Sequence, residues 1–359
     1  MGGKTSALLA FLWLLAGCVK DTPNPATSTI PLSEQGIYTI CEGLNNTTTG
    51  GLYFIAANND STYGDLFQSA NSTNAGELFQ SMASINNHLY MVMNESNKIV
   101  VIDRKTYLKT LEISVPAPRY ICQVSDSVAY ISSYLLKRTQ VYVYRLNITT
   151  NTITDSIQFP FNNTDGMCVA QGRLLVACWD TMCNHVYVID PNSNQITDSM
   201  SVAGRAPNSI FTDANQNIWV LSGNPVNRYQ AYFTQIDPIT HAQLKVLPFS
   251  TEAIPFRPTL NKTKDTIYYI NADYFFNGAP NGVFRFGINE TELPTTPLIP
   301  ADKYHYFYAL GIHPISGHIY IGDPMGWQQS GVVQEYNTLG QKLKTYKVGI
   351  GPNSFIFNF

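Results

Sequence analysis

The chain has 359 residues, of which 44% are apolar and 13% are charged, and its formal net charge is −3 at pH 7. This length and apolar fraction are sufficient for a packed domain with a large core. The small net charge and the absence of a basic stripe argue against a surface that neutralises the phosphates of nucleic acid.

Residues 1–17 have the pattern of an export signal, with Lys4 followed by an apolar stretch over residues 7–15. This stretch is shorter than the roughly 20 residues that a membrane-spanning helix needs. Leu15-Ala16-Gly17-Cys18 has the form of a bacterial lipobox, which implies cleavage before Cys18 and lipid on that cysteine. The alternative is an ordinary signal peptide with a chance cysteine. Residues 18–35, rich in Pro, Thr, Ser and Asn, predict a flexible tether behind the lipid anchor.

A short β-type motif recurs along the rest of the chain at intervals of 40 to 52 residues. Its seven central residues are Tyr38, Tyr90, Tyr130, Leu175, Trp219, Tyr268 and Tyr320. Each interval has room for four short strands bounded by Asp, Asn, Pro, Ser and Gly, as residues 172–212 illustrate. A period of this length with four strands per unit is typical of a β-propeller. The sequence therefore predicts an all-β fold, a seven-bladed propeller of four-stranded antiparallel blades over residues 36–359.

The two ends of the chain predict how the ring closes. The last nine residues, 351–359, match only the turn and the innermost strand of a repeat, whereas residues 36–80 hold three strands. We expect the C-terminal strand to complete the blade that the N-terminal segment begins, which removes the open edge of the ring.

Five of the six cysteines follow Cys18, so at least one thiol stays unpaired. Cys178 and Cys183 flank a short loop between two strands of one blade and are candidates for a disulfide bond. Cys122 and Cys168 hold equivalent places in adjacent repeats, where buried inert thiols are the expected role. No cysteine pair has zinc-finger spacing, so no metal site is predicted.

Two sets of loops emerge on one face of such a disc: those after the second strand of each blade and those that lead into the innermost strand. We call this face the loop-rich face. Its first set of loops carries the aromatic residues Tyr134, Trp179, Tyr229, Tyr274, Phe275, Phe276 and Trp327. Its second set adds the polar residues Arg119, Arg205, Asn208, Arg257 and Asn353. Aromatic rings with interspersed amides and guanidiniums suit a broad, partly flat organic ligand, although some rings are expected to pack under the loops instead.

The common catalytic and cofactor motifs are absent from the sequence: no nucleophile elbow, no zinc-protease helix, no phosphate-binding glycine-rich loop and no acidic calcium repeat. We therefore expect a binding protein that uses no cofactor rather than an enzyme.

Four segments carry a resemblance to known proteins: GIYTICEGLN from Gly36, MNESNKIVVID from Met93, APRYI from Ala117 and VGIGPN from Val348. With them, the mature chain resembles exported seven-bladed propeller lipoproteins with YVTN-type repeats. It is most similar to the surface lipoproteins that cap the TonB-dependent vitamin B12 transporter.

The resemblance implies a lipid-anchored protein of the outer membrane, exposed at the cell surface, that captures cobalamin or cobinamide tightly. It would pass this corrinoid to the transporter barrel without altering it. The ligand-binding residues that we predict on this basis are Glu42, Asn45, Tyr134, Trp179, Arg205, Tyr229, Tyr274, Phe275 and Trp327.

Two other functions stay open at this point. The first is an accessory protein whose aromatic rim binds a glycan or another protein. The second is an enzyme similar to streptogramin lyase or a lactonase, for which only Glu42, Glu95 and His305 stand on the right face.

Overall fold

The computed structural model describes residues 35–44, 47–134, 141–224, 229–275, 278–302 and 305–359. The predicted signal peptide, the lipidated Cys18, the tether as far as residue 34, and the predicted ligand residue Asn45 lie outside the described residues.

The described residues form seven four-stranded antiparallel sheets, which are the blades of a propeller. Blade 1 contains β1 Gly36–Cys41, β2 Gly51–Ala56, β3 Thr62–Tyr63 and the C-terminal strand β28 Pro352–Asn358. Blade 2 contains β4 Phe79–Ile85, β5 His88–Met93, β6 Lys98–Asp103 and β7 Lys109–Ser114. Blade 3 contains β8 Pro118–Gln123, β9 Val128–Ser133, β10 Val141–Asn147 and β11 Thr152–Phe159. Blade 4 contains β12 Thr164–Ala170, β13 Arg173–Cys178, β14 His185–Asp190 and β15 Gln195–Ser201.

Blade 5 contains β16 Pro207–Thr212, β17 Ile218–Asn224, β18 Tyr229–Ile236 and β19 Gln243–Pro248. Blade 6 contains β20 Pro255–Leu260, β21 Thr266–Asn271, β22 Gly282–Gly287 and β23 Ile299–Pro300. Blade 7 contains β24 Ala309–Ile312, β25 Ile319–Asp323, β26 Val332–Tyr336 and β27 Lys342–Lys347. The predicted seven-bladed propeller is confirmed.

The innermost strands β28, β4, β8, β12, β16, β20 and β24 contact one another in that order and return to β28, so they surround a central axis. Seven apolar clusters fill the spaces between adjacent blades, one cluster for each interface. Each blade is thus covered on both faces by its neighbours, and the core is a ring rather than a single centre.

This arrangement explains why the second strand of each blade gave the strongest sequence signal. Residues of β5, β13 and β17 are buried on both sides of the sheet, so apolar side chains follow one another without alternation. The outermost strands β7 and β27 are almost entirely exposed and carry lysines instead. Burial is greatest in the second strands, intermediate in innermost strands such as β8 and β20, and lowest at the circumference of the disc.

The ring closes in the way that the sequences of the two ends of the chain predict. β28 pairs antiparallel with β1, with Gly36 opposite Asn358 and Thr39 opposite Phe355. Two helical segments were not predicted. A helix, α1 Leu66–Asn71, lies between β3 and β4 and is capped by the Asp65 side chain, and a 3-10 helix, Met325–Trp327, follows β25.

Candidate ligand-binding site

A polar residue stands at the start of each innermost strand, on the loop-rich face. In six blades it lies in a break of the strand register, where the inner strand has extra residues relative to its partner. Such β-bulges bend a strand and turn a side chain in a new direction. The bulge residues are Gln80, Arg119, Asp165, Asn208, Arg257 and Asn353, and in blade 7 Tyr308 immediately precedes β24.

All of these residues except Asn353 line an axial cavity of about 720 Å³. We call Glu42, Gln80, Arg119, Asp165, Arg257 and Tyr308, which line it, the floor. We call the aromatic residues Trp179, Tyr229, Tyr274 and Tyr306, which also line it, the rim. Tyr229 and Tyr274 are 38% and 53% exposed, whereas Asp165 and Gln80 are only 6% exposed. Two polar residues of the floor are thus far more buried than the two tyrosines of the rim, and apolar residues such as Ile121 and Ile210 also line the cavity.

Arg119 forms the ion pair of the floor. Its Nη2 atom lies 3.2 and 3.4 Å from the two carboxylate oxygens of Asp165, and its Nη1 donates to Gln80 at 3.0 Å. The guanidinium also lies 5.7 Å from the ring centre of Tyr120 and 5.3 Å from that of Tyr134. Burial lowers the pKa of Arg119, but Asp165 and Tyr120 more than offset that effect, so its pKa lies above the ordinary value.

Glu42 is the second carboxylate of the floor. Its Oε2 accepts hydrogen bonds from the Tyr308 hydroxyl at 3.1 Å and from Asn353 Nδ2 at 3.2 Å. Burial raises the pKa of Glu42, while Asn353, Arg257, Tyr308 and Arg119 partly oppose the rise. The protonated form of Glu42 is thus easier to reach than that of an exposed glutamate.

Arg257 is the second cation of the floor, and it has only neutral hydrogen-bond partners among the described residues. Its Nε donates to the Tyr308 carbonyl at 3.3 Å and its Nη1 to the Tyr120 hydroxyl at 3.5 Å. The guanidinium also lies 5.3 Å from the ring centre of Tyr308. Burial lowers the pKa of Arg257, but Tyr120, Tyr308 and Glu42 outweigh it, so the side chain remains charged.

The rim residues are held by contacts with the loops around them. Trp179 Nε1 donates to the Gly223 carbonyl at 3.2 Å, which ties blade 4 to blade 5. Tyr274 packs against Tyr306 at 5.4 Å between ring centres. Trp179 is thus anchored through its ring nitrogen, and Tyr274 through its contact with Tyr306.

One comparison decides the family. A family model described as Domain of unknown function (DUF5074) matches residues 35–358, nearly the whole ring. The chain belongs to the DUF5074 family. No curated protein matches the chain significantly.

Solved structures similar to this DUF5074 protein are remote in sequence. A quinonprotein alcohol dehydrogenase-like protein from Bacteroides thetaiotaomicron has a TM-score of 0.67 at 13% identity, over 91% of this chain and 79% of that one. A protein from Lactobacillus plantarum has a TM-score of 0.64 at 14% identity, over 91% and 100%. The dihydro-heme d1 dehydrogenase NirN, solved in complex with DHE, has a TM-score of 0.56 at 8% identity, over 93% and 76%. At these identities the likeness shows the fold alone.

Four of the predicted ligand residues line the cavity: Glu42, Trp179, Tyr229 and Tyr274. The other four described ones contact its lining. Tyr134 packs against Trp179 at 6.3 Å and Arg205 lies 5.3 Å from the ring of Tyr229. Phe275 packs against Tyr274 at 5.5 Å, and Trp327 against Tyr308 at 4.8 Å. Trp179 and Trp327, in blades 4 and 7, thus belong to the same face.

The predicted ligand set omitted most of the floor. Arg119, Asp165, Arg257 and Tyr308 line the cavity but were not among the predicted ligand residues. A signal was present, because Arg119 and Arg257 stand in the recurrent proline-containing motifs with which innermost strands begin. The predicted set gave priority to the aromatic loops instead.

Cys178 and Cys183, the candidates for a disulfide bond, are free thiols in the structure, and their pairing stays a prediction. The two side chains share a hydrogen bond, and Cys183 Sγ also donates to the His185 carbonyl at 3.3 Å. Both lie in the apolar cluster between blades 3 and 4, and burial raises the pKa of the Cys178 thiol. Each thiol has a hydrogen-bond partner; burial disfavours the thiolate of Cys178, whereas the hydrogen bond with Cys178 lowers the pKa of Cys183.

The residues of the alternative enzyme hypothesis each make their own contacts. His305 Nδ1 lies 3.8 Å from Asp323, Glu42 is held by Asn353 and Tyr308, and Glu95 is exposed on its own loop. Among the described residues, no group of three or more His, Cys, Asp or Glu side chains is arranged to hold a metal ion. In the same part of the chain, no helix is long and apolar enough to cross a membrane.

Proposed function

We propose that this DUF5074 propeller captures a corrinoid on its loop-rich face and releases it unaltered. The observation that carries the proposal is the axial cavity, whose aromatic rim stands above a polar, charged floor. A corrin macrocycle is broad and flat, with amide groups around its edge. The exposed rings of Tyr229 and Tyr274 offer contact area for its plane, and Gln80 and Asn208 offer partners for its amides.

The size of the cavity supports a ligand of this kind. Small-molecule sites in proteins have volumes of roughly 300 to 1,000 Å³, and this one holds about 720 Å³. Because the cavity is open to solvent along the rim, a ligand larger than the cavity can rest on the rim and insert only part of itself.

The lipid anchor belongs to the same proposal. A lipid on Cys18 and a tether would hold the disc at the outer membrane, where it can pass the corrinoid to a TonB-dependent transporter barrel. The test is fractionation of cells that express the full chain or Cys18→Ala. We expect the full chain in the outer-membrane fraction and Cys18→Ala in the soluble fraction. Equal distribution of the two would argue against the anchor.

Isothermal titration calorimetry with cyanocobalamin tests the binding directly. We expect the wild-type protein to bind, and Trp179→Ala to bind at least about tenfold more weakly, equivalent to about 1.4 kcal/mol. The matched control is Ile239→Ala, because Ile239 is 77% exposed in a turn of the opposite face and its loss should leave the affinity unchanged. Circular dichroism checks that both variants are folded. Absence of binding by the wild type, with binding to glycans instead, would support the accessory function.

A further inference from the structure

The two arginines of the floor differ in how their charges are balanced. Arg119 is paired with Asp165 at 3.2 Å. Among the described residues, no salt bridge joins Arg257 to any carboxylate, and its hydrogen bonds go to a main-chain carbonyl and a phenol. Glu42 acts on Arg257 only through longer-range electrostatics. The Arg257 guanidinium therefore faces the cavity with an unpaired charge and spare donors.

The backbone at Arg257 is strained in a way that holds this arrangement. Arg257 has φ +52°, in the left-handed region that non-glycine residues rarely adopt. It also precedes Pro258, which restricts its conformation further. Strain of this kind persists where the surrounding structure fixes a side chain for a task. Here the guanidinium reaches across the axis to the Tyr120 hydroxyl of blade 3 and lies against the ring of Tyr308, beside the adjacent blade 7.

We propose that Arg257, together with the Tyr120 hydroxyl, forms an anion subsite at the floor of the axial cavity that takes a phosphate or carboxylate group of the ligand. A guanidinium binds both groups through paired hydrogen bonds, and a half-buried site strengthens them. The inference rests on the proposed function for the identity of the ligand, and adds the chemistry of one of its groups. A corrinoid with a nucleotide loop carries one phosphodiester, whereas cobinamide lacks it.

Glu42 gives the subsite a pH dependence. The groups that face its carboxyl are Asn353, Tyr308, Arg257 and Arg119, and burial already raises its pKa. An anion bound to Arg257 would disfavour the charged form of Glu42 further, so binding is accompanied by proton uptake. Anion affinity should rise as the pH falls.

The first test uses sulfate as a tetrahedral probe and acetate as a carboxylate probe, titrated into the full protein by calorimetry between pH 5.5 and 8. Sulfate does not titrate in this range, so any pH dependence belongs to the protein. We expect sulfate to bind more tightly at pH 5.5, and Glu42→Gln to remove that dependence. Acetate binding without sulfate binding would assign the subsite to carboxylates. Failure of both anions to bind the wild type would overturn the proposal.

The second test uses variants. Arg257→Met should weaken anion binding at least tenfold, whereas Arg285→Met should not. Arg285 is a matched control, since its Nη1 also donates to a tyrosine hydroxyl and a main-chain carbonyl, of Tyr268 and Thr338, outside the cavity. If Arg257→Met fails to fold, Arg257→Lys keeps the charge, and it should bind anions more weakly because it loses the paired donors. Equal anion binding by wild type and Arg257→Met would also overturn the subsite.

Comparing cyanocobalamin with cobinamide separates the two proposals. If the wild type binds cyanocobalamin more tightly than cobinamide and Arg257→Met loses that preference, both the proposed function and the anion subsite are supported. Anion binding that depends on Arg257, without any corrinoid binding, would support the subsite and overturn the proposed function. The wild type could also bind the corrinoid without competition from sulfate or acetate, and with the same affinity as Arg257→Met. That result would overturn the anion subsite but not the proposed function.

Discussion

Glu42 shows how single residues set the chemistry of the axial cavity. Its carboxyl is buried among two arginines and two neutral donors. Burial raises the pKa by more than these neighbours lower it, so the pKa lies above the ordinary value. A carboxyl that is partly desolvated without an ion-pair partner costs stability in its charged form.

Replacing Glu42 with glutamine should change the pH dependence of stability in a defined direction. The pKa of Glu42 is higher in the folded protein than in the unfolded chain. The favourable contribution of Glu42 to the free energy of unfolding is therefore fully present below the pKa of the unfolded chain, and it is lost as the pH rises through the pKa of the folded protein. The free energy of unfolding of the wild type, relative to Glu42→Gln, should therefore fall between pH 4 and pH 7. Urea unfolding at both pH values measures the difference.

A second glutamate provides the control for that experiment. Lys109 and Lys98 hold the pKa of Glu112 below its ordinary value even though burial acts in the opposite direction. The contribution of Glu112 to the free energy of unfolding is present above the pKa of the unfolded chain and is lost as the pH falls. The free energy of unfolding of the wild type, relative to Glu112→Gln, should therefore rise with pH, opposite to the result for Glu42→Gln. Slopes of the same sign for both variants would contradict the assignment of Glu42.

At the scale of elements, the loop after β25 packs against the residues that lead into the innermost strands β24 and β28. The 3-10 helix Met325–Trp327 places Trp327 against Tyr308, at 4.8 Å between ring centres, and against the turn at Gly351. Gly351 has φ +65°, and a Cβ atom there would collide with the Trp327 ring. A glycine is required at this position both for its conformation and for the close approach.

Gly351→Ala should therefore destabilise the protein by more than about 1 kcal/mol and weaken corrinoid binding by displacing Trp327. Gly172→Ala is the matched control, because Gly172 has a similar φ of +70° with open space around it. It should show only the conformational cost, about 1 kcal/mol, and unchanged binding. Thermal unfolding and calorimetry compare the two, and equal effects would mean that the Trp327 contact is unimportant.

How far the sequence predicts the structure also depends on the element. The second strands were recognisable because both of their faces are buried, as in β17, where every residue is buried. The strands β3 and β23 have two residues each, and the helix α1 has six, too few for a pattern. The floor was incompletely predicted because Arg119, Asp165 and Arg257 are far apart in the chain and meet only through the ring geometry.

For the whole molecule, stability depends on closure between the two ends of the ring. β28 is the innermost strand of blade 1, and Asn353 Nδ2 also reaches the carbonyls of Phe79 and Gln80 in blade 2. The apolar cluster between blades 7 and 1 includes Phe355 and Phe357. Without this strand, blade 1 loses the strand that contacts both neighbouring inner strands.

Deleting residues 355–359 should lower stability by about 4 kcal/mol or more, since it removes Phe355, Ile356 and Phe357 from the apolar clusters on the two faces of blade 1. This corresponds to a fall in Tm of roughly 8 °C or more. Deleting only Phe359, which is 39% exposed and lies beyond β28, is the control and should change Tm by about 2 °C at most. Differential scanning calorimetry measures both. A longer deletion that melts at the wild-type temperature would contradict closure by β28.

The central claim is that the axial cavity of the loop-rich face binds a corrinoid, and the cobalt of that ligand offers the most direct measurement. Crystals grown with cyanocobalamin can be measured at the cobalt absorption edge, where the anomalous signal locates the metal. The account predicts one strong peak on the propeller axis, above the floor and within the rim of Trp179, Tyr229 and Tyr274. A peak on the opposite face, or at the outer edge of a blade, would contradict it.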